Sequence, residues 1–302
     1  MSATGMPTAA TALAGVGLPS ASLEVDGVPL FFVDAGRGPT VLFVHGAPSW
    51  SFTWRGVIAR LRDRFRCVAP DLPGFGLSPV RQPRPSLRAA SVAVEALVEA
   101  LDLHDVVLVA NDTGGPVGFG VAGRRPERFA GLVALSTCAF ALDEFLAMRA
   151  AVWTFSSAPA RVLNRMLNIV PRAVTGFGTP GRRWTHAERA AYLRPFADRA
   201  MRERSIRLLR ALLVERNFLR TTEESLHRLA DRPLLAIFGE KDAARRAGFP
   251  ARFARLFPDF TEHVVPRAMH FPHEDDPDDV AAAIDGWFRA RLGAGSGARR
   301  RA

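Results

Sequence analysis

The sequence is short of lysine, tyrosine and cysteine, and each shortage narrows what the chain can be. Lys241 is the single lysine, so 39 of the 40 basic residues are arginine. That bias, joined to an Ala-rich composition, reads as codon usage rather than as a surface built for a partner. No basic patch or nucleic-acid motif accompanies it, so no nucleic-acid partner is expected. The two cysteines, Cys67 and Cys138, lie inside apolar runs and read as buried free thiols, not as a disulfide framework. No uninterrupted apolar run approaches the roughly 18–20 residues that cross a bilayer, and no membrane partner is expected. Residues 1–20 lack the basic start of a signal peptide, so they read as a flexible leader on a cytoplasmic protein.

What is there is enough for a large core. Of 302 residues, 48% are apolar, which excludes wholesale disorder. The formal charge is +10, and three of its arginines, Arg299, Arg300 and Arg301, close a Gly/Ala/Arg-rich stretch (293–302) that reads as a disordered tail. Around Asp26-Gly27, short apolar runs at 23–25 and 30–33 predict a hairpin. Apolar runs follow at 41–44, 67–69, 106–110, 132–135, 234–238 and 263–265, most of them apolar on both faces, as in a parallel sheet covered on both sides. Helical spacing between them, as at 87–101, predicts an open α/β fold. The alternation stops between about 140 and 229, where the pattern is helical with breakers at Pro159, Pro171 and Pro195. Ninety such residues are too many for a loop and predict a helical cap inserted between core segments 21–139 and 230–292.

The strongest local signal is VVLVANDTGG (106–115), an apolar strand running into Asp112 with Ala110 before it and Gly114 and Gly115 after. A side chain on a sharp strand-to-helix turn needs small neighbours two residues away, and the following helix favours an anion at its N-terminus. Asp112 also fits a plain helix N-cap, and further features separate the two readings. His45-Gly46-Ala47 follows the strand at 41–44, Gly239-Glu240-Lys241-Asp242 follows a later one, and His270 follows the last. Nucleophile, acid, histidine is the chain order of α/β-hydrolases, and carboxyl ends of strands are where such sheets bind ligands.

The blocks HGAPSWSFTWR (45–55), APDLPGFGLS (69–78), NDTGG (111–115), GEKD (239–242) and HFPHEDDP (270–277), with AAYLRPF (190–196) in the cap, make the chain resemble an α/β-hydrolase-fold enzyme of the haloalkane dehalogenase and epoxide hydrolase branch. The resemblance spans about residues 23–292. It implies a cofactor-free, metal-free hydrolase with Asp112 as nucleophile, Asp242 as acid and His270 as base, and with the Ala47 and Thr113 backbone N–H groups forming an oxyanion hole. A carboxylate attacking an ordinary ester would make an anhydride, whereas displacing halide or opening an epoxide leaves an alkyl ester on the enzyme. The expected substrate is therefore a small apolar molecule with an electrophilic carbon.

Two positions depart from the pattern. Haloalkane dehalogenases carry a halide-holding Trp after the nucleophile, where this chain has Thr113, and commonly Asn or Glu after His-Gly, where it has Ala47. Trp50, or Trp153 and Trp184 in the cap, are the candidate replacements. Epoxide hydrolases use two cap tyrosines, and this chain offers Tyr192 alone, with His186 as the only candidate second donor. Epoxide hydrolysis, a ligand-binding protein without turnover, and a reaction with His270 as base and Asp112 merely polar stand as alternatives. His273 competes with His270 for the role of base, but only His270 matches the family pattern. His104, His227 and His263 have no metal-ligand spacing, and Arg199, Arg202, Arg207 and Arg210 read as a solvated helix face.

Overall fold

The computed structural model describes residues 13, 15–79 and 86–293. Eight strands form one sheet: β1 (Ser20–Val25), β2 (Val28–Ala35), β3 (Thr40–Val44), β4 (Arg66–Pro70), β5 (Val106–Asp112), β6 (Phe129–Thr137), β7 (Leu234–Gly239) and β8 (Phe260–Val265). Their order is β1-β2-β4-β3-β5-β6-β7-β8, with β1, β2 and β4 antiparallel and every later pairing parallel. The hairpin at Asp26-Gly27 is present, both residues taking positive φ (49° and 73°), as a two-residue turn between twisted strands requires. β3, β5, β6 and β7 are buried almost throughout, which is why they read as unbroken apolar runs rather than as alternation.

Before β6 the described residues include α1 (Arg55–Leu61), α2 (Leu87–Ala100) and α3 (Gly114–Arg124). In α2, Leu87, Ala90, Val94, Leu97 and Val98 form the buried stripe, and Ser86 caps the first turn by accepting the Ala89 N–H. Every residue of α3 but the last is buried, so this helix leads from the end of β5 straight through the core.

Between β6 and β7 every regular element is helical: α4 (Leu146–Phe155), α5 (Ala158–Leu167), α6 (Ile169–Gly176), α7 (His186–Leu193), α8 (Arg199–Val214) and α9 (Arg216–Ser225), with short 3₁₀ turns. After β7 come α10 (Ala243–Arg246), α11 (Phe249–Leu256), α12 (Pro272–Asp275) and α13 (Pro277–Arg291), the last packing against α1.

One end of the chain departs from expectation. Leu13 and Leu18 are buried in the core, and Arg62 donates to the Gly17 carbonyl at 2.8 Å, so this part of the expected flexible leader is packed; apolar burial outweighs the loose composition around it. Residues 1–12 and 14, and the expected tail beyond residue 293 with Arg299–301, lie outside the described residues.

Candidate active site

Four chain segments meet at the carboxyl ends of β3, β5, β7 and β8. At the end of β5, Asp112 has φ 51°, a left-handed conformation that a non-glycine residue holds only when its surroundings enforce it. Thr137 helps to enforce it, its hydroxyl donating to the Asp112 carbonyl at 2.5 Å. The small neighbours have physical causes. A Cβ on Gly46 would collide with the Asp112 carboxylate, and one on Gly115 with the Thr137 hydroxyl.

The structure brings Asp112, His270 and Asp242 together. His270 Nε2 lies 3.1 Å from Asp112 Oδ1, and its Nδ1 lies 3.2 Å from Asp242 Oδ1. Asp242 is buried at the N-terminus of α10, where the same oxygen accepts the Ala244 N–H at 2.9 Å. The other oxygen of Asp112, Oδ2, accepts the Ala47 N–H at 2.9 Å. Ala47 N–H is shared with the Thr113 hydroxyl at 3.0 Å, so the Thr113 side chain turns toward the loop that carries Ala47.

Two carboxylates around one imidazole set its charge. Burial works to lower the His270 pKa, but Asp242 and Asp112 together raise it to about 10, so the ring carries a proton at neutral pH. Burial would likewise raise Asp242, yet the His270 charge and hydrogen bond, with the Ala244 N–H, hold it below the ordinary carboxylate range.

His45 has a different task. Its pKa falls to about 4, mainly through burial, so it is neutral. Nδ1 donates to the Gly46 carbonyl at 2.9 Å and Nε2 accepts the Leu72 N–H at 2.9 Å, tying the Ala47 loop to the loop after β4. In that second loop Asp71 accepts the Ser51 and Leu77 N–H groups at 2.7 and 2.8 Å, though burial raises its pKa to about 6. His273, the competing base by sequence, is buried, stacked on Trp54 and bonded to the Thr53 hydroxyl at 2.8 Å. Its surroundings push its pKa well down, and it contacts neither Asp112 nor Asp242.

The expected substrate-holding donors are engaged elsewhere. Trp50 is fully buried and its indole N–H donates to the Tyr192 carbonyl at 3.2 Å. Trp184 donates to the Thr179 hydroxyl at 2.8 Å. The Tyr192 hydroxyl, also fully buried, donates to the Pro48 carbonyl at 2.8 Å. Trp153 is 62% exposed on the surface of the helical insertion. The donors of Trp50, Trp184 and Tyr192 are thus paired with carbonyl or hydroxyl groups rather than left for Asp112.

Sequence reasoning missed a buried charge cluster beside the site. Arg55 and Glu274 pair through two hydrogen bonds of 2.7 and 3.0 Å, 5% and 1% exposed. Arg182 of the insertion approaches Glu274 at 3.4 Å and also pairs with Glu188. The Trp184 ring lies against both guanidinium groups, their carbons 5.1 and 4.9 Å from its centroid. The adjacent Asp275 accepts the Met269 N–H at 3.0 Å and the Gly181 N–H at 2.7 Å. Both acids stand in the block that carries His270, and Arg55 ends the block that carries Ala47, so the signal lay in the two motifs themselves. Among the described residues no three His, Cys, Asp or Glu side chains are placed to hold a metal ion, and no helix is long and apolar enough to cross a membrane.

Comparison with known proteins identifies the family. Residues 41–283 match the model of the alpha/beta hydrolase family, and the chain belongs to that family. It is 36% identical over 262 residues to haloalkane dehalogenase 2 of Mycobacterium tuberculosis, covering 84% of this chain and 90% of that protein. It is 30% identical over 274 residues to a cis-3-alkyl-4-alkyloxetan-2-one decarboxylase of Shewanella oneidensis, covering 87% of this chain and 86% of that one. The crystal structure of haloalkane dehalogenase DbeA from Bradyrhizobium elkani superposes with a TM-score of 0.79 at 26% identity, covering 92% of this chain and all of the other. Within the family the chain is a haloalkane dehalogenase-like hydrolase, which places it with enzymes rather than with the binding-only alternative.

Proposed function

We propose that the chain hydrolyses small apolar alkyl halides through an ester formed on Asp112, with residues 140–229 acting as the cap over the site. The observation that carries this reading is the unbroken contact from Asp112 Oδ1 through His270 to Asp242, with Asp112 Oδ2 on the Ala47 N–H. Asp112 Oδ1 attacks the carbon that bears halogen; the new C–O bond forms as the carbon–halogen bond breaks and its electron pair leaves on the halide. Esterification removes the Asp112 charge that helps His270 hold its proton, and that proton departs with the halide. The neutral ring takes a proton from water, and the hydroxide adds to the ester carbonyl. Negative charge then develops on Asp112 Oδ2, the oxygen that already accepts the Ala47 N–H; one such donor contributes about 2.7–4 kcal/mol. The intermediate collapses, the alcohol leaves with the proton from His270, and the Asp112 carboxyl returns its own proton to the ring. The sum is halide, alcohol and one acid equivalent.

A second reading has an observation of its own. With the donors of Trp50, Trp184 and Tyr192 engaged and threonine rather than tryptophan at position 113, none of these three expected side-chain donors is free for a departing anion. Decarboxylation of a 3,4-dialkyl oxetan-2-one, the substrate class in the name of the Shewanella relative, releases neutral carbon dioxide and an alkene and needs no such donor. The discriminating experiment offers the purified enzyme a bromoalkane, a terminal epoxide and a dialkyl oxetan-2-one, and measures halide, diol, and alkene with carbon dioxide. Halide release that falls at least about a thousandfold in Asp112→Ala is expected. Alkene as the only product would transfer the assignment to the second reading, and diol alone to epoxide hydrolysis.

A further inference from the structure

One helix of the insertion, α5, is inside out. In α5 the buried side chain is a polar one, Asn164, which donates to the Arg202 carbonyl at 3.0 Å and accepts the Val170 N–H at 2.9 Å. Val162, Leu163, Met166 and Leu167 of the same helix stand exposed. Trp153 in α4 and Phe177 beyond α6 are exposed as well, by 62% and 75%. Scattered apolar side chains are normal on a surface, but here nine of the twelve exposed large apolar side chains among the described residues fall within 32 consecutive positions.

The charge on this stretch has one sign. Residues 146–177 contain Arg149, Arg161, Arg165 and Arg172 and no aspartate or glutamate. Of the acids at its border, Glu144 is exposed and, among the described residues, meets only Arg252, at 3.6 Å, and two others are outnumbered by arginine. Glu203 faces Arg165 at 3.6 Å and also pairs with Arg207, while Asp143 is held by Arg216 and Arg220 at 2.6 and 2.8 Å.

We propose that this face docks on an anionic lipid surface. Apolar side chains enter the boundary between headgroups and acyl chains, arginines meet the lipid phosphates, and an exposed tryptophan sits at the level where its ring is both apolar and a donor. A second copy of the chain is a poorer occupant, because a two-fold contact would set this arginine-bearing face against itself. The absence of spanning runs bears on insertion through a bilayer, and lying on one requires none. The inference is independent of the chemistry assigned to Asp112.

The test mixes the full chain with phosphatidylcholine vesicles and with vesicles containing phosphatidylglycerol, and follows cosedimentation and tryptophan emission. Binding to the anionic vesicles is expected to exceed binding to neutral ones at least tenfold and to shift the emission of Trp153 to the blue. Replacing Arg172 by Gln should weaken binding about fivefold, and the triple change Leu163→Gln, Met166→Gln, Leu167→Gln should weaken it at least tenfold, with the thermal midpoint confirming that the variant folds. Equal affinity for neutral and anionic vesicles, or none for either, would overturn the proposal. So would a concentration-dependent dimer that the triple change dissociates, since the face would then belong to a second copy.

Discussion

His270 is where charge, burial and reaction meet. Its ring is held between Asp112 and Asp242, and their combined pull outweighs burial and lifts its pKa to about 10. A base must be unprotonated to act, so the resting charge suits the free enzyme and not the hydrolytic step. Under the proposed mechanism the ester on Asp112 supplies the change. Asp112→Asn mimics that loss of charge while keeping the shape, and nuclear magnetic resonance of the imidazole should find the His270 pKa displaced downward in the variant. An unchanged value would mean that Asp112 does not hold the proton. The raised pKa also fixes a sign for stability. The contribution of His270 is present in full below its unfolded pKa near 6.5 and fades as pH rises toward about 10. His270→Gln should therefore flatten the stability profile across that window.

At the scale of elements, the site depends on loops from distant parts of the chain, and buried charges fasten them. Arg55 begins α1, immediately after the segment carrying Ala47, and Glu274 lies in α12, just beyond His270. Their two-bond pairing joins the segment that carries Ala47 to the segment that carries His270, and Arg182 brings the helical insertion to the same carboxylate. Removing one partner of a buried pair leaves an uncompensated charge, which typically costs about 3–5 kcal/mol. Glu274→Gln should lower the free energy of unfolding by about that amount in a urea titration, whereas the double change Arg55→Met, Glu274→Leu should recover much of it. Equal losses in the single and double variants would show that shape, not charge, governs this contact.

For the whole molecule, strand runs such as 41–44 and 106–110 were legible because a parallel sheet buried on both faces leaves continuous apolar stretches. Asp112 was legible because its strained turn demands Ala110, Gly114 and Gly115 in fixed places, a constraint written within ten residues. The partners of Trp50 and Tyr192 were not legible, since each donor's direction depends on a carbonyl 142 or 144 positions away. The packing of Leu13 and Leu18 was hidden for a similar reason: nothing local distinguishes an apolar residue in a loose leader from one that reaches the core.

The formation of a covalent ester on Asp112 is the claim on which the functional reading stands. It is tested most directly by exposing His270→Gln to a bromoalkane and weighing the protein, then its peptides. We expect the intact mass to rise by one alkyl group, with the addition confined to the peptide carrying Asp112 and persisting because water is no longer activated. A wild-type enzyme that releases halide while the His270→Gln protein and its Asp112 peptide remain unmodified would contradict it.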